Sequence, residues 1–292
     1  MYSFRQSALA ILIPLSLMSC RPEWGVGSRS LIVESWIESG GYPVVILSES
    51  VTPSTEETSF EECVVTTAKV TVCCDDRCVV LSGGVDHNYF PPFTYTTAHI
   101  TGEPGKTYTL DIYYRNRHYS AETSIPEPCE ISELESYSIK DGNAYGISAV
   151  VNDSQNTHRW LQFFVRNRTK ETRYYPSVLG FNDNRSYNVL TAATDTSSAG
   201  PEGPAVRLKV NPGRHVIDGS RYNMFFERHD TVQVKLASMD SVSGIFWKQF
   251  QKIESTSELG LFSTFENLEG NVAGAKGYWC GFGISYKGII IE

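Results

Sequence analysis

The sequence predicts a mainly β protein of two β-sandwich-like domains. The first is expected to be of immunoglobulin or transthyretin type, and the second to carry one helix near residues 240–254. Three observations support this. Tyr is abundant, with 16 copies, and Thr and Val recur, which suits pleated, half-buried surfaces. Short apolar–polar alternations return about every ten residues between Gly, Pro, Asn and Asp turns. Only one stretch breaks that rhythm, with apolar residues at helical spacing.

Residues 1–19 come first. Ala8 to Met18 is apolar apart from Ser16, is interrupted by Pro14, and follows a single charge, Arg5. A spanning helix needs roughly 20 apolar residues, so this run is expected to be a secretory signal segment. Leu17-Met18-Ser19-Cys20 resembles a bacterial lipobox: aliphatic, variable, small, cysteine. The resemblance implies that Cys20 becomes the mature N-terminus and carries acyl chains such as palmitate. One acyl chain anchors only marginally and several anchor durably. Residues 20–29, continuing as RPEWGVGSR, have the composition of a flexible tether.

The first domain is expected over residues 30–126. SLIVESWIE alternates, with Leu31, Val33 and Ile37 on one face, and YPVVILSES is a second strand. VTPSTEETSFEE is a polar loop. TTAKVTVCC and RCVVLSG form a hairpin about Asp75-Asp76-Arg77. A two-residue turn sets Cys73 opposite Cys78, and a three-residue turn sets Cys74 opposite Cys78. Seven cysteines are present. The six besides Cys20 allow 15 pairings, and an exported chain meets an oxidising compartment. One local bridge to Cys78 is expected, from Cys73 or Cys74. No metal site is expected, because no second C-x2-C-type pair supports a zinc reading. DHNYFPPFTYT is an aromatic connection. Tyr108, Leu110, Ile112 and Tyr114 then alternate in a half-buried strand.

Pro126-Glu127-Pro128 marks the boundary, and the second domain is expected over residues 129–292. ISELESYSI, AYGISAVVND, HRWLQFFVRN, AVRLKVNPG and TVQVKLASM are expected as strands, with residues 191–204 a loop of small residues. DSVSGIFWKQFQKIEST is the helix. Asp240 is its N-cap, and Val242, Ile245, Phe246, Phe250 and Ile253 form its apolar face. Gly244 weakens it by about 1 kcal/mol relative to Ala. Residues 270–292 supply a Gly-rich turn and a closing strand.

Charge and motifs narrow the function. Without residues 1–19, 24 basic side chains face 33 acidic ones, a balance of −9. Nucleic acid calls for a basic patch, so no nucleic-acid partner is expected. The chain has no G-x-S-x-G elbow, H-E-x-x-H pair or P-loop. GFGISYKG holds two glycines of a dinucleotide fingerprint without the third or its βαβ setting, so no cofactor is expected. His229-Asp230 has the spacing of a solvated turn pair rather than a dyad. Glu34 and Glu38 share a strand face about 13 Å apart, wider than glycosidases need. Tyr89, Phe90, Phe93 and Tyr95 are the candidate ligand-contact aromatics. Arg166, Arg168 and Arg173, beside Tyr174 and Tyr175, form a basic aromatic stretch.

The ordered series SLIVESWIESGGYPVVILSES, TTAKVTVCC, GEPGKTYTLDIYYRNRHYSAETSIPEP, VQVKLASMDSVSGIFWKQF and GNVAGAKGYWCGFG resembles the Bacteroidota lipoproteins grouped as domain-of-unknown-function family 4249. The cysteines at 73–78 and Trp160, where a tyrosine is expected, depart from that pattern. The resemblance implies a lipid-anchored outer-membrane protein on the cell-surface or periplasmic face, with two β-rich domains. It also implies association with TonB-dependent nutrient importers, and it supplies no catalytic residue. The expected function is therefore non-enzymatic: an accessory binding lipoprotein held in the membrane through Cys20. Two alternatives remain open. One is a fimbrial, pilin-type subunit, since Arg29 precedes the first strand and an Arg-specific protease could release a donor strand. The other is a surface glycan or peptide hydrolase built from separated carboxylates.

Overall fold

The computed structural model describes residues 29–50, 63–140, 144–152, 158–185, 192–193, 199–200, 203–213, 224–258 and 268–292. Cys20, the signal segment, nearly all of the tether, the polar loop after residue 50 and most of the loop 191–204 lie outside them. The described strands of the first half are β1 (Leu31–Glu38), β2 (Val44–Glu49), β3 (Lys69–Cys74), β4 (Arg77–Val80), β5 (Ser82–Val85), β6 (Phe93–Thr96), β7 (Thr107–Tyr114) and β8 (Arg117–Ser124). Those of the second are β9 (Glu130–Lys140), β10 (Ala144–Asn152), β11 (Trp160–Asn167), β12 (Tyr175–Asp183), β13 (Ala192–Ala193), β14 (Ala199–Gly200), β15 (Gly203–Val210), β16 (Thr231–Met239) and β17 (Lys276–Ile290). Helix α1 (Ser241–Glu258) lies between the last two described strands. The protein is mainly β.

One eight-stranded sheet, ordered β12-β11-β16-β17-β1-β2-β6-β5, runs through both halves of the chain. Its centre is a parallel pairing of β1 with β17, Ile32 opposite Lys276 through Glu38 opposite Phe282. Two smaller described sheets are β4-β3-β7-β8 and β13-β15-β10-β9, the latter with β14 paired to β15. Each packs against the same face of the large sheet. Leu31, Val33, Ile37 and Trp279 from that face meet Val72, Leu110 and Ile112 in one core. Phe163, Val234 and Leu236 meet Ile147, Val151 and Leu208 in a second. The result is two sandwiches that share a layer, so the sequence boundary at Pro126–Pro128 is not a boundary of the sheet.

The segment joining the sandwiches crosses β17 at close range. A Cβ at Gly281 would lie 2.5 Å from the Ser124 carbonyl oxygen, and one at Gly283 would lie 2.1 Å from that of Pro126. Side chains cannot approach backbone so closely, so only glycine admits the crossing. These glycines of GFGISYKG therefore serve packing. Around them, the Thr123 hydroxyl accepts the Gly281 N–H at 2.8 Å, and the Ser285 hydroxyl donates to the Cys129 carbonyl at 2.7 Å.

The cysteine hairpin closes through a two-residue turn. Cys73 pairs with Cys78 and Cys74 with Arg77, and Cys73 and Cys78 are joined by a disulfide. Asp75 takes the left-handed conformation, φ 49°, which a tight hairpin turn requires at this position and Asp tolerates. Cys74 points to the other face and packs against the first core.

Helix α1 lies on the opposite face of the large sheet. Asp240 caps it, its carboxylate accepting the Ser243 N–H at 2.8 Å. The same side chain accepts from the Thr123 hydroxyl at 2.9 Å and the Ser124 N–H at 3.0 Å, which ties the helix start to β8. The buried stripe differs from the expected one. Phe246 and Trp247 are buried, Phe250 packs beside them, and Val242 and Ile245 face solvent. The reason is Gly244: a Cβ there would lie 2.4 Å from the Trp160 indole. The ring of Trp160 occupies that space, so the helix turns its Ser243–Gly244 and Phe246–Trp247 side to the sheet.

Candidate functional site

Residues that point inward on β1 alternate with residues that point outward, and the outward ones build a site. Glu34, Trp36 and Glu38 of β1, Val44 and Ile46 of β2, and Tyr278, Phe282 and Tyr286 of β17 form the floor of an open cavity of about 690 Å³. One wall comes from Phe164, Tyr174, Tyr175 and Lys235, with Trp247 of α1 behind them. The other comes from Gly41 and Tyr42 and from the loop carrying Asn88, Tyr89 and Phe90. Asp86 shapes that loop: its carboxylate accepts the Asn88 N–H at 2.9 Å, and its carbonyl accepts the Tyr89 N–H at 3.2 Å. The Phe90–Pro91 peptide bond is cis. The Tyr89 ring sits 5.6 Å from that of Trp36.

The charges divide between two ends of the cavity. At one end, Lys235 is 7% exposed and pairs with Glu38 at 2.5 Å. Its ammonium also lies 4.7 Å from the Phe164 ring centre and 4.9 Å from that of Tyr174. The Tyr286 hydroxyl donates to the second Glu38 oxygen at 3.2 Å. Arg173 stacks 4.7 Å over Tyr175 and donates to the Asn88 carbonyl at 3.1 Å. Burial, with Glu38 adding to it, pushes the Tyr286 hydroxyl far above its ordinary pKa. Burial likewise raises Tyr89, with Asp86 and Glu38 reinforcing it and Arg173 opposing.

Glu34 occupies the other end, opposite Tyr278 in the β1–β17 register and opposite Ile46 on β2. Burial alone raises its carboxyl above the usual range. Tyr278 is raised strongly, by burial first and then by the Glu34 charge. Its ring packs 4.6 Å from Phe246 of α1. This end is thus an anionic group among apolar and aromatic surfaces, and the first end is a satisfied ion pair.

The structure sorts the candidate residues of the sequence. Tyr89 and Phe90 line the cavity, and Phe90 is 60% exposed. Phe93 and Tyr95 do not: they alternate inward on β6 and pack on the first core, with ring centres 5.4 Å apart. The Tyr95 hydroxyl is used up between the Val65 carbonyl at 3.0 Å and the Ala68 N–H at 3.1 Å. Glu34 and Glu38 both enter the cavity, as do Arg173, Tyr174 and Tyr175. Arg166 stands behind Tyr174, 5.0 Å from its ring centre. Asp230 lies elsewhere, buried in a turn and paired with Lys170 at 3.0 Å.

Sequence reasoning did not single out Trp36, Tyr278, Phe282, Tyr286, Lys235 or Trp247 for the site. The outward alternation of Tyr278, Phe282 and Tyr286 was the signal available. Among the described residues, no group of three His, Cys, Asp or Glu side chains is placed to hold a metal ion. No described helix is long and apolar enough to cross a membrane.

The family model for a domain of unknown function, DUF4249, matches residues 23–285. The chain belongs to that family. A search of curated proteins finds no match to the sequence. The matched span includes both sandwiches, α1 and all but the last five residues of β17. Every cavity residue except Tyr286 therefore falls within it.

Proposed function

We propose that this member of the DUF4249 family is a non-enzymatic binding lipoprotein. In this reading it is anchored in the outer membrane through Cys20 and works beside a TonB-dependent importer, with the outer-face cavity holding its ligand. The observation that carries the proposal is the cavity itself. It is concave, opens on the face of the large sheet that no second described sheet covers, and combines aromatic faces with a few fixed charges. Binding sites have this composition: apolar and aromatic walls for affinity, a few polar groups for orientation. Its two carboxylates suit binding better than hydrolysis, because Glu38 is already engaged by Lys235 and Tyr286. The lipobox supports the anchor, and the resemblance to outer-membrane lipoproteins supports the importer.

The test begins with native membranes. The lipidated protein is extracted in mild detergent, captured, and its companions identified by mass spectrometry. A TonB-dependent barrel in stoichiometric amount is the expected result. Recovery of a ladder of copies lacking residues 20–29 would replace the proposal with the fimbrial reading. Recovery alone with an intact Cys20 terminus would remove the importer, and turnover in a glycan and peptide screen would make the protein a hydrolase.

A further inference from the structure

The charges in the cavity are unevenly matched, and this points to its ligand. Lys235 is satisfied by Glu38 and by two ring faces, while Arg173, at the same end, stacks on the Tyr175 ring and donates to the Asn88 carbonyl. Glu34 has neither a hydrogen bond nor an ion pair among the described residues, and no described cation lowers its pKa. It stands over a floor of Trp36, Ile46 and Tyr278. A ring face carries negative potential and attracts cations, most strongly on Trp and Tyr. An unpaired carboxylate framed by such rings attracts the same class of ligand, because both fields have one sign.

We infer that the cavity binds an organic cation: an ammonium group that pairs with Glu34, carried on an apolar or aromatic body that lies against Trp36 and Tyr278. The inference rests on reading the cavity as a ligand site, and it names the ligand class. A neutral sugar would stack on the same rings and leave Glu34 without a counter-charge. An anion would meet repulsion at Glu34 and find Lys235 engaged by Glu38, which leaves Arg173, at the other end of the cavity, as the one cation to attract it among the lining residues. Burial already holds the Glu34 carboxyl above its usual range, and an ammonium partner is what favours its charged form.

The experiment uses three probes of one shape on the folded protein from Cys20 onward. They are phenethylammonium, 2-phenylethanol and 3-phenylpropionate, titrated by calorimetry and by the fluorescence of Trp36 and Trp247, which line the cavity. Phenethylammonium should bind at least tenfold tighter than the alcohol, and the phenylpropionate should not bind. Glu34→Gln should abolish that tenfold preference while leaving the alcohol unchanged. Trp36→Ala should weaken the amine and the alcohol alike. Unchanged far-ultraviolet circular dichroism and a cooperative melt check that each variant is folded. Equal affinity for amine and alcohol, tighter binding of the acid, an unaffected Glu34→Gln variant, or no binding of any probe would each overturn the assignment. Saturable binding of neutral methyl glycosides without the amine would overturn the cation and leave the ligand-site reading standing. The pull-down result stands apart from all of these.

Discussion

The two faces of the eight-stranded sheet are made by the same strands and carry opposite chemistry. On β1, Leu31, Val33 and Ile37 point one way and are buried, while Glu34, Trp36 and Glu38 point the other way into the cavity. On β17, Trp279 goes inward, and Tyr278, Phe282 and Tyr286 go outward. On β16, Val234 and Leu236 go inward and Lys235 outward. The covers explain the difference. Among the described residues, two sheets pack on the inner face, whereas α1 and the loop of Asn88, Tyr89 and Phe90 border an open cavity on the outer face. A well-packed inner face supplies stability, and this lets the outer face keep a buried lysine and a carboxylate that do nothing for packing.

The largest effect should come from breaking the inner face. Trp279→Ala removes a fully buried indole whose Nε1–H donates to the Tyr108 carbonyl at 2.9 Å. It should cost about 3–5 kcal/mol in denaturant unfolding, and a loss below about 1 kcal/mol would mean the inner face is not the source of stability. Gly283→Ala forces a Cβ into the Pro126 carbonyl and should cost up to about 3 kcal/mol, with both sandwiches unfolding together. On the outer face, Lys235→Met leaves Glu38 half-buried without its cation and should cost about 2 kcal/mol. Adding Glu38→Gln should recover most of that loss, and a double-mutant cycle measures the coupling.

Two outer-face changes sharpen the contrast. Glu34→Gln should stabilise the protein at neutral pH, because the folded state raises this carboxyl above its ordinary value of 4.5. A raised carboxyl binds its proton more tightly when folded, so ionising it costs stability. The cost is absent below about pH 4.5, grows as pH rises through the raised value, and is complete above it. Melting curves of the two proteins should therefore separate at pH 7 and converge near pH 4. Phe90→Ala should be the smallest, within about 0.5 kcal/mol in stability, while weakening any aromatic ligand of the cavity. A large stability loss there would make the loop part of the fold's support.

The strands were legible in the sequence where alternation is strict. Val33 and Ile37, or Leu110 and Ile112, announce an inner face because period two and burial coincide. The helix was legible and its face was not, because the packing of Trp160 against Gly244 decides the rotation and no helical periodicity reports it. The turn of the cysteine hairpin needed the structure to choose between two lengths. The cavity was legible only in pieces. Tyr89, Phe90, Glu34 and Arg173 stood out singly, but β1 lies beside β17, and no local pattern pairs segments so far apart. GFG was read by its resemblance to a fingerprint, and its glycines answer to a backbone passing above them.

The pairing of β1 with β17 also orders events in time. Ser35 donates its hydroxyl to the Tyr278 carbonyl, 243 residues away, so the first described strand waits for the last described one. Until β17 arrives, one rim of β1 has unsatisfied backbone groups and apolar side chains that invite mispairing. A contact of such sequence separation is slow to form, and a chain interrupted before Lys276 lacks the strand that joins its two halves. The two halves of the described fold therefore become one sheet only when the last described strand has been made.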